Sequence, residues 1–157
     1  MTTEDALGRQ DDHLELVTTA ARVLELVDLE KIITYEVHGV RQESDIPEGD
    51  ARQEIEALAR GEELWLETRF KLSFVTTHAT YTADMSAMYT HTEPFQISDD
   101  AVQEFISKVG LFAVYPFLRE AVYSMATRLD LPRPLLGLVK QGQMQFTAGE
   151  REMAPDE

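Results

Sequence analysis

Four histidines, His13, His38, His78 and His91, are the side chains here best suited to hold a metal or move a proton. A metal site on one element needs tight pairs such as H-x3-H or H-E-x-x-H, which turn two ligands to the same side. None of the four stands at such a spacing, so they read as solvated or structural residues. Asp99 and Asp100 form an adjacent carboxylate pair, but they follow Ser98 and precede a helical pattern. That is the chemistry of a helix start, where a hydroxyl caps and negative charge meets the positive end of the dipole. Ser86, Ser107 and Ser124 lack the surroundings of a nucleophile elbow, and the dispersed glycines build no phosphate cradle. With no cysteine there is no thiolate ligand, thiol nucleophile or disulfide. The expectation is a chain that is not an enzyme and carries no metal and no cofactor.

Charge narrows the partners. The 157 residues hold 29 acidic against 14 basic side chains, a net −15. Nucleic acid and anionic membrane surfaces both demand clustered Lys and Arg, so neither is expected as a partner. An acidic surface keeps a sticky protein dissolved and favours basic partners. The opening Met1-Thr-Thr-Glu-Asp5 lacks a basic n-region and an apolar h-region, no apolar run is of spanning length, and a cytoplasmic location without membrane insertion is expected.

The apolar residues carry what remains. Trp65 stands among charged neighbours, either covered by another element or presented as an anchor. Met85, Met88, Met125 and Met144 are either core or the adaptable surface of a promiscuous binder. The patch Leu135, Leu136, Leu138 and Val139, with Met144 and Phe146, either packs on a sheet or lines a groove for a client.

Periodicity supplies the elements. Leu14, Val17, Ala21 and Leu24 recur at helical spacing, widened by Ala20, Val23 and Val27, with Asp11 or Asp12 as the cap; Val and Thr keep a strand open. Asp28 to Arg41 is β-branched and aromatic, a strand, and Pro47 and Gly49 mark 42–50 as a loop. Ala51 to Arg60 fits helix by propensity and an edge strand by position. Leu64, Leu66, Thr68, Phe70, Leu72 and Phe74 alternate with Trp65, Glu67, Arg69, Lys71 and Ser73. Ala79, Tyr81, Ala83, Met85, Ala87 and Tyr89 repeat the pattern after Thr76-Thr-His-Ala79, which predicts an antiparallel hairpin with one face on a core. Val102, Phe105, Ile106, Val109 and Phe112 form a helical stripe, and Leu118, Val122, Met125 and Leu129 resume it beyond Pro116. Pro116 should act as a hinge dividing the helix, with Arg119 and Glu120 beside the break. Strands followed by helices predict an α+β domain, an antiparallel sheet with helices on one face, over 1–157, with loose tails at 1–12 and 149–157. The stripe from Val102 to Phe112 exceeds what one small sheet needs, which points to an oligomer.

The stretch from Gly110 to Leu136 resembles the SecB family of export chaperones. That family shows an aromatic, Pro, an aromatic, a variable residue and Arg-Glu, then a helix ending in Arg and a Pro-containing leucine segment. Tyr115, Pro116, Phe117, Arg119, Glu120, Arg128, Pro132 and Pro134 match it. A helix before the first strand is closer to the toxin–antitoxin-linked or solitary branch. The resemblance implies a four-stranded antiparallel sheet with two helical segments, and it favours a strand over Ala51–Arg60. It implies a homotetramer built as a dimer of dimers, with Ala101–Val114 packed between dimers and Ala87, Tyr89 and His91 on the assembly face. It implies ATP-independent holding of unfolded or precursor polypeptides, or of an antitoxin-like client, in export or toxin–antitoxin control; the alternative is a dedicated adaptor or inhibitor on the same scaffold. Glu36 corresponds to the family's acidic contact for the SecA motor, whereas the second acidic position is Met88 and the Pro-Val-Asn-Phe after the leucines is absent.

Overall fold

A computed structural model describes residues 14–134 and 136. Four long strands carry the fold: β2 (Asp28–Arg41), β3 (Arg52–Glu62), β4 (Trp65–Val75) and β5 (Ala79–Thr90). They pair antiparallel in the order β2-β5-β4-β3. β3–β4 and β4–β5 are hairpins, so β2 and β3 are the two edges and the connection 42–51 must cross the end of the sheet. Ala51–Arg60 is therefore strand: Ala57 and Ile55 face Phe70 and Leu72 in register, and that packing outweighs the helix propensity of its Ala and Glu.

The alternation seen in the sequence fixes the faces. Phe70, Leu72, Phe74, Tyr81, Ala83, Met85, Ala87 and Tyr89 are all buried on one side. Leu64 belongs to the β3–β4 turn and is exposed, one residue outside the strand that its place in the pattern suggested.

Before β2 lie a short strand, β1 (Leu16–Val17), and the helix α1 (Ala20–Leu26). The expected helix starts later and turns a different face inward. β1 pairs parallel with β6 (Gln96–Ile97), which uses the residues of the expected first turn. Thr19, not Asp11 or Asp12, caps α1: its hydroxyl accepts the Arg22 amide at 3.3 Å. Val17, Ala20, Val23 and Val27 are buried while Leu14 and Leu24 are exposed. Glu104 reaches over from the next helix to accept the Ala20 amide at 3.0 Å.

Helix α2 (Asp99–Phe105) opens on Ser98, whose Oγ accepts the Ala101 amide at 3.2 Å, as the sequence predicts. It runs through a π-helical turn, Ile106–Gly110, into α3 (Leu111–Arg128). The run Asp99–Arg128 is long and apolar enough by length and composition to cross a membrane. Here it is the core helix: Leu111, Val114, Tyr115, Leu118, Ala121 and Val122 are buried, at i, i+3, i+4, i+7, i+10 and i+11.

Pro116 does not divide the helix. It sits inside α3 on the exposed side, and the irregular turn is one turn earlier. The cause is contact with the sheet. A Cβ on Gly110 would meet the Thr68 Oγ1 at 2.6 Å and Cβ at 2.9 Å, so helix backbone here lies directly on β4. A π-turn accommodates one extra residue at that contact. Arg119 does not pair with Glu120; it reaches the Tyr123 hydroxyl at 3.4 Å, a turn further on.

Candidate functional site

The face of the sheet turned away from the helices carries the densest chemistry. β4 alternation places Trp65, Glu67, Arg69 and Lys71 there, beside Ser86 and Asp84 of β5. Glu67 is 0% exposed although it stands on the outer face. Its Oε2 accepts from the Tyr35 hydroxyl of β2 at 2.5 Å and the Ser86 hydroxyl of β5 at 2.7 Å, and its Oε1 accepts from Nε of Arg60 on β3 at 2.5 Å. One carboxylate thus joins all four strands. Burial pushes its pKa up, and the bonds from Tyr35, Ser86 and Arg60 more than reverse this, leaving the group below its ordinary value.

Arg69 forms a bidentate pair with Asp84, at 2.9 and 2.8 Å, and its guanidinium lies 3.8 Å from the centre of the Tyr35 ring. Arg60 covers Trp65 at 5.5 Å. The hydrogen bond to Asp84 is the main cause that raises the Arg69 pKa, as the bond to Glu67 is for Arg60. These carboxylates are already occupied by donors, so the network offers no free acid–base pair. Among the described residues no group of three or more His, Cys, Asp and Glu side chains is placed to hold a metal.

The residues proposed from sequence scatter over this frame. Glu36 lies on β2 opposite Asp84, with Lys71 Nζ at 4.0 Å. Met88 is half-buried opposite Lys31 and Glu67. Trp65 is half-buried, with the Arg60 guanidinium of the neighbouring strand over its ring. Leu136 is 1% exposed and joins the core; Leu135, Leu138, Val139, Met144 and Phe146 lie outside the described residues, as does His13. Of the interface set, Phe105 (1% exposed), Ile106, Ala87 and Tyr89 are buried in this chain's own core, and His91 is buried outside it. The Tyr89 and Phe105 rings meet edge to face at 5.1 Å. Val102 and Val109 are half-buried, and Phe112 is exposed. His38 is exposed, His91 stacks on Phe95 and faces the Glu93 carbonyl, and His78 lies between Glu43 and Glu48.

A second surface overlaps the stripe read from the sequence at Val109 and Phe112 and adds residues beyond it. Val109, Phe112, Ala113, Pro116 and Phe117 follow one another at i, i+3, i+4, i+7 and i+8 along the outward side of the helix, with Phe112 39% and Phe117 47% exposed. The π-turn is the reason. Its extra residue rotates everything after it by about 100°. Phe112 therefore leaves the face that holds Phe105, and beyond the turn Leu111, Val114, Leu118 and Val122 form the buried face.

No family model matches the chain. The SecB-like chaperone SmegB of Mycolicibacterium smegmatis is 32% identical over 120 residues, spanning 76% of this chain and 80% of that protein. Among solved structures, the Mycobacterium tuberculosis SecB-like chaperone Rv1957, in complex with a ChAD peptide from the HigA1 antitoxin Rv1956, shares the fold. It superposes with a TM-score of 0.65 at 19% identity, over 77% of this chain and 93% of that one. A protein of unknown function from Streptococcus agalactiae superposes over 71% of this chain and 97% of its own with a TM-score of 0.45 at 14% identity, too low to bear on the fold.

Proposed function

The chain belongs to the SecB-like chaperone family, and from that membership we propose that it is an ATP-independent holdase that binds unfolded or partner polypeptides. The observation that carries this reading is the SmegB relationship, which extends over three-quarters of the chain and so includes both sheet and helix. The mechanism is passive: apolar surface captures exposed apolar segments of a client, and several sites on one assembly raise the effective concentration. The net −15 keeps such a complex dissolved and favours basic clients. It acts without a cofactor, in the cytoplasm, as a single domain over 1–157, and it is not an enzyme.

Client contacts are assigned to Trp65, Leu135, Leu138, Val139, Met144 and Phe146, with Leu136 moved to the core because of its burial. Assembly as a dimer of dimers uses the outward helix stripe at Phe112 and Phe117, since Phe105 and Ile106 of the stripe first considered are buried within the chain. Glu36 remains as an acidic contact for a basic partner, and Met88, where a second acidic residue would stand, weighs against a SecA-like one.

A second reading has one observation in its favour. The fold neighbour from M. tuberculosis was solved with an antitoxin peptide. A dedicated adaptor serving an antitoxin-like client would use the same scaffold. Aggregation of a reduced or heat-unfolded model substrate, followed by light scattering without ATP, separates the two. General holding predicts suppression near a one-to-one ratio of chaperone to client. Absence of suppression, together with tight binding of a single partner, assigns the adaptor role. Absence of both activities overturns both readings.

A further inference from the structure

His78, at the tip of the β4–β5 hairpin, faces a carboxylate on each side of its ring. Nδ1 lies 2.8 and 3.0 Å from the two oxygens of Glu43, and Nε2 contacts Oε1 of Glu48. Both glutamates belong to the connection that crosses the end of the sheet. A neutral imidazole has one N–H donor and one lone pair, so it satisfies one carboxylate and repels the other. Only the imidazolium donates to both. Because the two carboxylates approach opposite edges of the ring, they cannot share a metal with it.

The two halves of the connection are held differently. Its first half is fastened by neutral bonds: the Gln42 amide to the His78 carbonyl at 2.9 Å, the Ser44 amide to the Thr77 carbonyl at 2.9 Å, the Ser44 hydroxyl to the Thr76 carbonyl at 2.8 Å, and the Thr77 hydroxyl to the Ile46 carbonyl at 2.8 Å. Beyond Ile46 the chain turns through Pro47 and Gly49, with φ +85° at the glycine, and the contact described from this half to the hairpin is Glu48 to His78.

We propose that His78 is a proton-dependent latch that fastens the outer half of the crossover, residues 47–50, to the β4–β5 hairpin and releases it on deprotonation. Glu43 stays in place because the amides on either side of it are bonded to the hairpin, so Glu48 is the group that leaves. The charged groups acting on the ring are Glu43 and Glu48, which hold its pKa above the ordinary histidine value of about 6.5. A raised folded-state value means that the latch is closed below the ordinary value and opens as pH rises through the raised one.

NMR titration of the full chain tests this. The His78 ring is followed by its carbon-bound protons, and the order of residues 48 and 49 by the amide heteronuclear NOE. The expected result is loss of order at Glu48 and Gly49 with the same midpoint as the His78 titration. Glu43→Gln supplies the second arm. A neutral ring can accept from the side-chain amide that this substitution introduces and donate to Glu48, so the variant should keep residues 48 and 49 ordered above the midpoint. The latch is overturned if wild-type order at residues 48 and 49 stays flat while His78 titrates. It is equally overturned if Glu43→Gln retains the wild-type pH dependence.

Discussion

Tyr35, on the edge strand β2, donates its hydroxyl to Glu67 at 2.5 Å by reaching across β5 to β4. The reach is made by a bulge. The β2–β5 register slips between Thr34 and Glu36, which leaves Tyr35 as the extra residue and swings its ring over the outer face and under Arg69. A register slip of one residue would carry the hydroxyl away from the carboxylate, so the pair specifies how the edge strand docks.

Removing the carboxylate should therefore cost more than an average surface change. Glu67→Ala strands the Ser86 hydroxyl, which is fully buried, and unpairs Arg60 and Tyr35. We expect a loss of about 2–4 kcal/mol in urea denaturation, against about 1 kcal/mol for Tyr35→Phe. A double-mutant cycle between the two positions should give a coupling of roughly 0.5–3 kcal/mol. A coupling of zero would mean that Tyr35 and Glu67 act independently.

The same carboxylate predicts a pH dependence. Its folded-state pKa lies below the ordinary glutamate value, because the three donors outweigh burial. Such a group stabilises the fold above its unfolded value, about 4.3, and the contribution fades as pH falls through the folded value. The stability difference between wild type and Glu67→Gln should be full at pH 6–7 and shrink steadily below about pH 4.5. A difference that is constant from pH 7 to pH 3 would contradict it.

Much of this was legible from residue pattern, and the misses have specific causes. Period-two alternation in Leu66–Phe74 and Ala79–Tyr89 marked both inner strands and their buried face, because a half-buried strand has no other way to be written. Ala51–Arg60 could not be settled by propensity; its fate depends on pairing with β4, which is long-range. The first helix was misplaced because β1 pairs with β6, eighty residues away. Phe105 and Phe112 looked like one stripe since a regular 3.6-residue period was assumed, and no local signal announces a π-turn. The outer network was hidden by its own chemistry: Glu67 and Arg69 read as a solvated charged face, while the structure buries one and stacks the other on Tyr35.

Gly110 gives a direct test of the π-turn contact. In an ordinary helix Gly→Ala is stabilising by up to about 1 kcal/mol. Here the new methyl would be driven into Thr68 on β4, with contacts of 2.6 and 2.9 Å. We expect Gly110→Ala to destabilise by about 1–3 kcal/mol. Thr68→Ala in the same chain removes Oγ1 and Cγ2, and should return part of the loss while leaving the Cβ contact. Measured melting temperatures decide it: stabilisation by Gly110→Ala alone would show that the helix does not press on the sheet there.

The outward stripe makes a prediction that differs in kind from one about the core. Phe105→Asp would bury an unpaired carboxylate at a position 1% exposed, so it should unfold the chain and report nothing on assembly. Phe112 and Phe117 are on the solvent side of α3, where a serine costs the isolated fold roughly 0.5 kcal/mol or less each. If copies of the chain pack along this stripe, the two serines remove apolar contact worth roughly 1.5 kcal/mol per ring, which weakens association by about a hundredfold for the pair. The expected outcome is a smaller species by light scattering with an unchanged circular dichroism spectrum. Assembly that survives Phe112→Ser with Phe117→Ser would move the interface elsewhere, and the edge strand β2, with Leu29, Tyr35, Val37 and Val40 exposed along it, is the next surface to alter.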